Sequence, residues 1–236
     1  MCGLTVSFGK NISFNLHKSM SRDLTHRGPD YKKDLIINDK TFFSHNRLKI
    51  IDLSNSANQP MYRNNCHLVF NGMIYNYLEV KKELENFYTF KTNSDTEVIL
   101  VAYLKWGKNC FKKFDGMFSI VIWDANIKKL IIARDRLGIK PLYYRIYNQN
   151  LYISSEAKPL LKVANYQINK ETVKKYFTYS SYEEKDSTFF KEINQFLPGY
   201  VYEVGYQLKF IKKKYWCLFS IIKKEQNNKK IKDVNL

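Results

Sequence analysis

The sequence is poor in the residues that mark several classes of protein. It has four cysteines among 236 residues, with no Cys-x-x-Cys pair and no histidines at the spacing of metal ligands. Disulfide scaffolds and zinc modules depend on such spacings, so we expect neither, and we expect free thiols and no metal site. The apolar runs, such as residues 118–123, are far shorter than the ~20 residues of a membrane helix.

Acidic residues are also scarce, with 22 Asp and Glu against 39 Lys and Arg, which gives a net charge of +17. Such a charge can bind nucleic acid. However, zinc-finger spacing, an Arg-rich helix and aromatic RNA-binding motifs are all absent, so we expect a solvated, lysine-rich surface and no nucleic-acid partner. Polar residues from Ser7 onward interrupt the apolar run after Met1, so we expect no secretory segment there. We expect a soluble, cytoplasmic protein without membrane association.

What the sequence does contain starts at its first three residues, Met1-Cys2-Gly3. Removal of Met1 would leave Cys2 with a thiol and an α-amine on the same Cα. A free α-amine has a pKa of ~7.7–8.0, which suits a general base at neutral pH. Terminal nucleophiles activated by their own amine are a known route to covalent catalysis. The alternative is that Cys2 is a small residue leading into a strand.

Alternating and helical spacings of apolar residues predict a mixed fold. The predicted strands are 4–8, 35–38, 42–45, 68–70, 117–124, 129–134, 142–146 and 151–154, followed by a strand pair that ends near position 216. The predicted helices are 16–24, 77–84, 94–106 and 170–179. Ser94 and Glu97 have the spacing of a capping box, and Gly107 is expected to end that helix. The charged segment 133–144 is interpreted as a turn joined by its own ion pairs.

Three polar positions have both a structural and a functional interpretation. Arg47 lies in an apolar run and needs an anionic partner, which is either a structural carboxylate or the carboxylate of a ligand. Asn71-Gly72 after a strand predicts a tight turn, yet an amide side chain beside an unhindered N–H also suits an oxyanion hole. Asp95 either complements the dipole of its helix or binds an amine of a ligand.

Several motifs in one order give the sequence a family resemblance. They are Cys2-Gly3, the segments 26–30 and 46–52, Gln59-Pro60-Met61, the segments 71–76, 94–98, 115–118 and 133–144, Ser155-Glu156 and Tyr215-Trp216. Together they cover nearly all of residues 1–216. The chain resembles the N-terminal glutaminase domain of glutamine-hydrolysing asparagine synthetases. These are class II glutamine amidotransferases of the N-terminal nucleophile hydrolase superfamily.

The resemblance implies an α+β fold, a four-layer αββα sandwich of two antiparallel sheets. It implies that Cys2 attacks the side-chain amide of glutamine to form a thioester, with its α-amine shuttling the proton. Asn71 and Gly72 would stabilise the oxyanion. Arg47 would bind the α-carboxylate of glutamine and Asp95 its α-ammonium.

The resemblance also implies backbone contacts from Leu48, Lys49, Ile50 and Ile51, and a substrate contact at position 73. That position usually holds Glu in the synthetases and is Met73 here. We expect this difference to tune the activity and not to abolish it.

The synthetase half with its pyrophosphate loop is absent from this sequence. The resemblance therefore predicts a glutamine amidotransferase domain at 1–216 and a Lys- and Asn-rich linker or tail at 217–236. It predicts no cofactor in this chain, because ATP and Mg²⁺ belong to the synthetase half. Glutamine is the expected substrate, and a separate synthetase-type protein is the expected acceptor partner. The alternative is a catalytically inactive docking or truncated remnant.

Overall fold

The protein is described by a computed structural model that covers residues 1–180, 186–220 and 222. The strands are β1 (Gly3–Gly9), β2 (Tyr31–Asn38), β3 (Thr41–Arg47), β4 (Met61–Arg63), β5 (Cys66–Ile74), β6 (Gly116–Asp124), β7 (Lys129–Arg134), β8 (Tyr143–Tyr147), β9 (Asn150–Ser154), β10 (Ile193–Gln195), β11 (Tyr200–Val204) and β12 (Phe210–Lys214). The α-helices are α1 (Phe14–Arg22), α2 (Tyr77–Leu84), α3 (Asp95–Trp106), α4 (Ala157–Leu160) and α5 (Lys170–Tyr179). Each predicted strand and helix has a counterpart here, with shifts at many ends.

The strands form two six-stranded antiparallel sheets that pack face to face. Their orders are β10-β8-β9-β1-β3-β2 and β12-β11-β7-β6-β5-β4. Residues such as Val6 and Phe43 of the first sheet meet Val121 and Ile132 of the second in a buried core between them. The outer face of the second sheet packs against α2 and α3, and that of the first packs against α1 and α4. The predicted four-layer αββα sandwich is confirmed.

Helix α3 begins at the predicted cap but not through the predicted capping box. The Ser94 hydroxyl accepts from the backbone N–H of Thr96 at 3.1 Å. The buried Glu97 carboxylate accepts instead from the N–H groups of Lys91 and Thr92, at 3.0 and 2.7 Å. It therefore fixes the incoming loop and does not reach back to the cap. Gly107, with φ of 54°, ends the helix as predicted.

The predicted tight turn at Asn71-Gly72 is wrong, since both residues lie inside β5. This strand pairs with β6 along its whole length, from Cys66 opposite Asp124 to Ile74 opposite Gly116. A Cβ atom at Gly72 would lie 2.1 Å from the carbonyl oxygen of Met117. Glycine is therefore needed for a close approach of two strands and not for a turn.

The segment between β7 and β8 is a turn, but it is held differently from the prediction. The Asp135 carboxylate accepts from the N–H groups of Phe118, Leu137, Ile139 and Lys140. Arg134 donates to the carbonyl oxygens of Lys140, Gly138 and Phe196. Charged side chains thus satisfy backbone groups in place of the predicted pairing with one another. None of the described helices is long and apolar enough to cross a lipid bilayer.

Candidate active site

A pocket of about 640 Å³, its open mouth included, is lined by residues of both sheets. These residues lie at the start of β1, at the end of β3 and in β5 of the second sheet. Nine of the predicted site residues line it: Cys2, Arg47, Leu48, Ile50, Ile51, Asn71, Gly72, Met73 and Asp95. Lys49 is the predicted site residue missing from that lining. Its N–H donates to the Asp30 carboxylate at 2.8 Å, and its Nζ lies 3.4 Å from Asn55 Oδ1.

Cys2 lies at the start of β1 with its thiol in the pocket. Its Sγ accepts from the N–H of Leu48 at 3.4 Å, and Arg27 Nε donates to the Cys2 carbonyl oxygen at 3.0 Å. Burial raises the pKa of the thiol, although the Leu48 N–H, the terminal ammonium of Met1 and Arg47 oppose this shift. The thiol therefore needs a base in order to become a nucleophile near neutral pH.

Arg47 ends β3, and its guanidinium is fixed by neutral acceptors. It donates to the carbonyl oxygens of Ser54 at 2.8 Å, of Ile51 at 3.4 Å and of Asp52, and to Asn58 Oδ1 at 2.6 Å. Within the described ranges no carboxylate oxygen lies within 4.0 Å of it. The structural carboxylate considered as its partner is therefore not in contact with it. This buried cation remains available for an anionic ligand.

Asn71 lines the pocket and carries a side-chain donor that lacks a partner within the described structure. The residue is buried, and its Nδ2 has no hydrogen-bond partner among the described residues. A buried amide hydrogen without a partner costs free energy. A position that holds one beside a thiol has the properties of a binding site for a negatively charged oxygen.

Asp95 is the first residue of α3, and its carboxylate faces the same pocket. One oxygen accepts from the N–H of Ile74 at 3.1 Å. Burial raises the pKa of this carboxyl to about 6, against the opposing effect of the N–H groups of Ile74 and Thr96 and the Ser94 hydroxyl. At pH 7 the group is mostly ionised and buried, so it favours a cationic ligand.

Gln59 and Lys140 are two polar residues of the pocket lining that the prediction of site residues missed, and Ser94 and Thr96 are two more. Gln59 Oε1 accepts from the N–H of Phe70 at 2.6 Å, and Gln59 Nε2 donates to Thr96 Oγ1 at 3.2 Å, so this residue ties β5 to α3. Lys140 enters from the turn after β7. Both residues belong to motifs of the family resemblance, which was the available signal. In the part of the chain that the structure describes, no cluster of three or more His, Cys, Asp or Glu could hold a metal ion.

Comparison with known proteins places these features in a family. Residues 1–216 match the family model described as a glutamine amidotransferase domain. The chain is 38% identical over 209 residues to the glutamine-hydrolysing asparagine synthetase 1 of Bacillus subtilis, across 84% of this chain and 33% of that relative. It is 34% identical over 195 residues to the amidase chyE of Penicillium rubens, across 82% of this chain and 28% of that relative. The chain thus spans about a third of the length of these curated relatives.

Solved structures show the same fold. The glutamine phosphoribosylpyrophosphate amidotransferase of B. subtilis, in complex with ADP and GMP, superposes with a TM-score of 0.68 at 17% identity. The match covers 91% of this chain and 49% of that chain. At this identity the likeness concerns the fold alone.

Proposed function

Because the chain belongs to the family of glutamine amidotransferase domains, we propose that it hydrolyses glutamine to glutamate and ammonia with Cys2 as nucleophile. The observation that carries this proposal is the pocket, where a thiol, a guanidinium and a carboxylate surround one space. A free amino acid brings a carboxylate and an ammonium group. Arg47 and Asp95 have the opposite charges, so they would fix its backbone and direct its side chain towards Cys2.

The proposed reaction starts after removal of Met1. The α-amine of Cys2 takes the thiol proton, and the thiolate attacks the amide carbon of glutamine. The carbonyl oxygen becomes an oxyanion that accepts from Asn71 Nδ2 and the N–H of Gly72. The ammonium then returns its proton to the leaving nitrogen, and ammonia departs.

The remaining γ-glutamyl thioester is hydrolysed by water. The α-amine takes a proton from that water, and the hydroxide attacks the thioester carbonyl at the same oxyanion site. Collapse of the adduct breaks the carbon–sulfur bond, releases glutamate and returns the proton to the thiol. Leu48, Ile50, Ile51 and Met73 would contact the substrate along the wall of the pocket. Lys49 would contribute through its backbone, since its side chain is directed towards Asn55.

The decisive experiment is intact-mass analysis after incubation with a glutamine-like diazoketone. We expect the loss of Met1 and one covalent adduct per chain, whose formation is competed by glutamine but not by its α-amide isomer isoglutamine. The control compares Cys2→Ala with Cys217→Ala, because Cys217 is the rival thiol: its pKa is lowered by hydrogen bonds from Ser220. An adduct that survives in Cys2→Ala and vanishes in Cys217→Ala would refute the assignment. An unreactive wild-type chain would favour an inactive docking role.

We further propose that the ammonia passes to a separate or fused acceptor enzyme of the synthetase type, which would bind ATP and Mg²⁺. Exposed apolar side chains near the pocket support this step: Ile50, Leu53, Leu137 and Ile139 are 58%, 66%, 69% and 55% exposed. Such a group is typical of a contact surface. Among the relatives, one is named an asparagine synthetase and another an amidase.

The start of the segment proposed as a linker lies near this surface. Gly199 bonds both to Asp135 of the turn and to Trp216, after which Leu218 and Phe219 are 50% and 77% exposed. Ile222 is also exposed, whereas the neighbouring Ile221 lies outside the described residues. A photo-crosslinker at Leu137 should capture a synthetase-type protein from the source cell, and one at Phe177 should not. Capture of the same proteins from both positions would contradict this surface.

A further inference from the structure

Lys140 is a buried cation whose partners are unusual. The residue is 5% exposed, and its Nζ lies 3.0 Å from the thioether sulfur of Met1. Within the described part of the chain its ammonium makes no ion pair within 4.0 Å. A thioether is a weak acceptor, and buried charges normally have stronger partners. The arrangement therefore indicates that the charge of Lys140 serves a purpose other than forming an ion pair within the protein.

The backbone at Lys140 is held firmly, so the side chain is aimed from a fixed base. Its N–H donates to the Asp135 carboxylate at 2.9 Å, and its carbonyl oxygen accepts from Arg134 Nε at 2.9 Å. Pro141 follows directly and restricts the next φ. The ammonium reaches the wall of the pocket, beside Met1 and Cys2.

Removal of Met1 takes away the thioether sulfur, the one hydrogen-bond partner of Lys140 Nζ among the described residues. In its place the molecule would gain the free α-amine of Cys2, next to the thiol. Several charged groups surround that position. The cations are Lys140 of the turn after β7, Arg47 of β3, and Arg27 of the segment after α1, which is paired with Glu156. The anions are Asp95 of α3 and Asp135 of the turn. Cations beside an amine disfavour its protonated form.

We propose, on the basis of the function proposed above, that Lys140 is a positioning residue whose charge faces the mature terminus and keeps the α-amine of Cys2 available as a base. Arg27 acts in the same direction, but its guanidinium is paired with Glu156 at 2.8 Å. Among the described residues Lys140 has no contact ion pair, so its charge is opposed only by more distant carboxylates such as that of Asp135. The turn between β7 and β8 thus has a role in the reaction as well as in the fold.

The test uses chains in which a protease has cleaved a fusion to leave Cys2 first, so that Met1 processing does not affect the result. The variants are Lys140→Met, which keeps the length without the charge, and Lys140→Arg, which keeps the charge. Lys112→Met, at an exposed position in the segment that follows α3, is the control. The readouts are the pH profile of kcat/KM and the titration of the α-amine followed by NMR of isotopically labelled cysteine.

We expect the acidic limb of the profile and the NMR titration to move up by about one pH unit in Lys140→Met. Glutamine hydrolysis at pH 6 should then fall by up to ~10-fold, with little loss at pH 9, where the amine is neutral in either chain. Lys140→Arg should restore the profile, and Lys112→Met should match the wild type. An unmoved amine titration in a folded Lys140→Met chain would overturn the proposal.

The two readouts separate this proposal from the function on which it rests. If no variant hydrolyses glutamine, the function fails, while the NMR titration still decides whether Lys140 acts on the amine. If hydrolysis depends on Cys2 but loses the same fraction at every pH in Lys140→Met, the function stands and this role of Lys140 fails.

Discussion

Two polar clusters on the same pair of strands differ in how their hydrogen bonds are satisfied. Near the middle of β1 and β3, His17 Nδ1 lies 2.8 Å from Ser7 Oγ, and His17 Nε2 lies 2.7 Å from Ser44 Oγ, which bonds to Asp34 at 2.6 Å. At the end of the same strands the pocket holds Cys2 and Arg47.

The first cluster contains a hydroxyl, an imidazole and a carboxylate, the chemical types of a catalytic triad, yet it is sealed. Ser7, His17 and Ser44 are fully buried, and both ring nitrogens have partners. Counting the described residues alone, Asn71 of the pocket has an Nδ2 donor without a partner, and the buried cation Arg47 has no contact ion pair. Satisfied polar groups specify the fold, whereas unsatisfied groups that face a cavity are held ready for a ligand.

The largest expected effect separates the two clusters by their nucleophiles. Cys2→Ala should lower glutamine hydrolysis by at least about 10³-fold while the fold remains intact, because the covalent route is lost. Ser7→Ala should leave hydrolysis unchanged but lower the free energy of unfolding by about 1–3 kcal/mol, since a buried ring nitrogen loses its partner. Ammonia release and denaturant unfolding measure both variants. Equal hydrolysis by Cys2→Ala and the wild type would refute the role of Cys2 as nucleophile.

The next largest effect compares the unpartnered Asn71 side chain of the pocket with the hydrogen-bonded His17 ring of the buried cluster. Asn71→Ala should lower kcat by roughly 10²–10³-fold, with little change in KM, if it removes one oxyanion donor. Its stability should change little, because Nδ2 makes no hydrogen bond within the described structure. His17→Leu should do the opposite and lower the free energy of unfolding by about 2–4 kcal/mol, since two buried hydroxyls lose a partner. A large loss of stability in Asn71→Ala would contradict the prediction that Asn71 contributes to catalysis and not to the fold.

The charged groups of the pocket should act mainly on binding. Arg47→Gln and Asp95→Asn should each raise KM by about 10–100-fold, because a charge-assisted hydrogen bond contributes ~1.5–3 kcal/mol. They should change kcat less than Asn71→Ala does, since the substrate groups that they bind do not change during the reaction. Glu79→Gln, at an exposed position of α2, is the matched control. Steady-state kinetics that show lower kcat at constant KM would contradict these roles.

The remaining effects concern pH, and they have opposite signs in the two clusters. The pKa of Asp95 is raised to about 6, so its carboxyl is protonated as the pH falls through 6, and KM for glutamine should rise there. In the wild type the folded chain binds this proton more tightly than the unfolded chain, so this group favours the fold at low pH. Asp95→Asn should remove both dependences. A KM that is constant from pH 7 to pH 5 in the wild type would be inconsistent with this role.

Burial lowers the pKa of His17 from 6.5 to about 4. Between these pH values the ring is therefore protonated in the unfolded chain and neutral in the folded chain. The free energy of unfolding should therefore fall by about 3 kcal/mol from this group as the pH drops from 6.5 to 4. His45 is buried in the same way, with its pKa also lowered to about 4. Denaturant unfolding of His17→Leu at pH 4.5 and 7 should show about half of the wild-type loss.

Local sequence determined much of the architecture, and its failures are informative. Lys129–Arg134 and Tyr77–Leu84 have the predicted bounds, because apolar periodicity and flanking polar residues act over a few positions. Asn71-Gly72 favours a turn locally but lies in a strand, because nine pairs with β6 outweigh that preference. Likewise, Glu97 has capping-box spacing but bonds to the loop before the cap.

The sequence alone determined that Cys2 carries a thiol beside its own backbone nitrogen, since the two groups share one Cα. Its family motifs also named Arg47, Asn71 and Asp95 as site residues. Only the tertiary structure decided that Arg47 lacks a contacting carboxylate within the described residues, that Asn71 Nδ2 has no partner there, and that Lys140 lies beside Met1. These properties depend on contacts between residues as far as 139 positions apart, and burial and charge pairing at such distances are set by the packing of the two sheets.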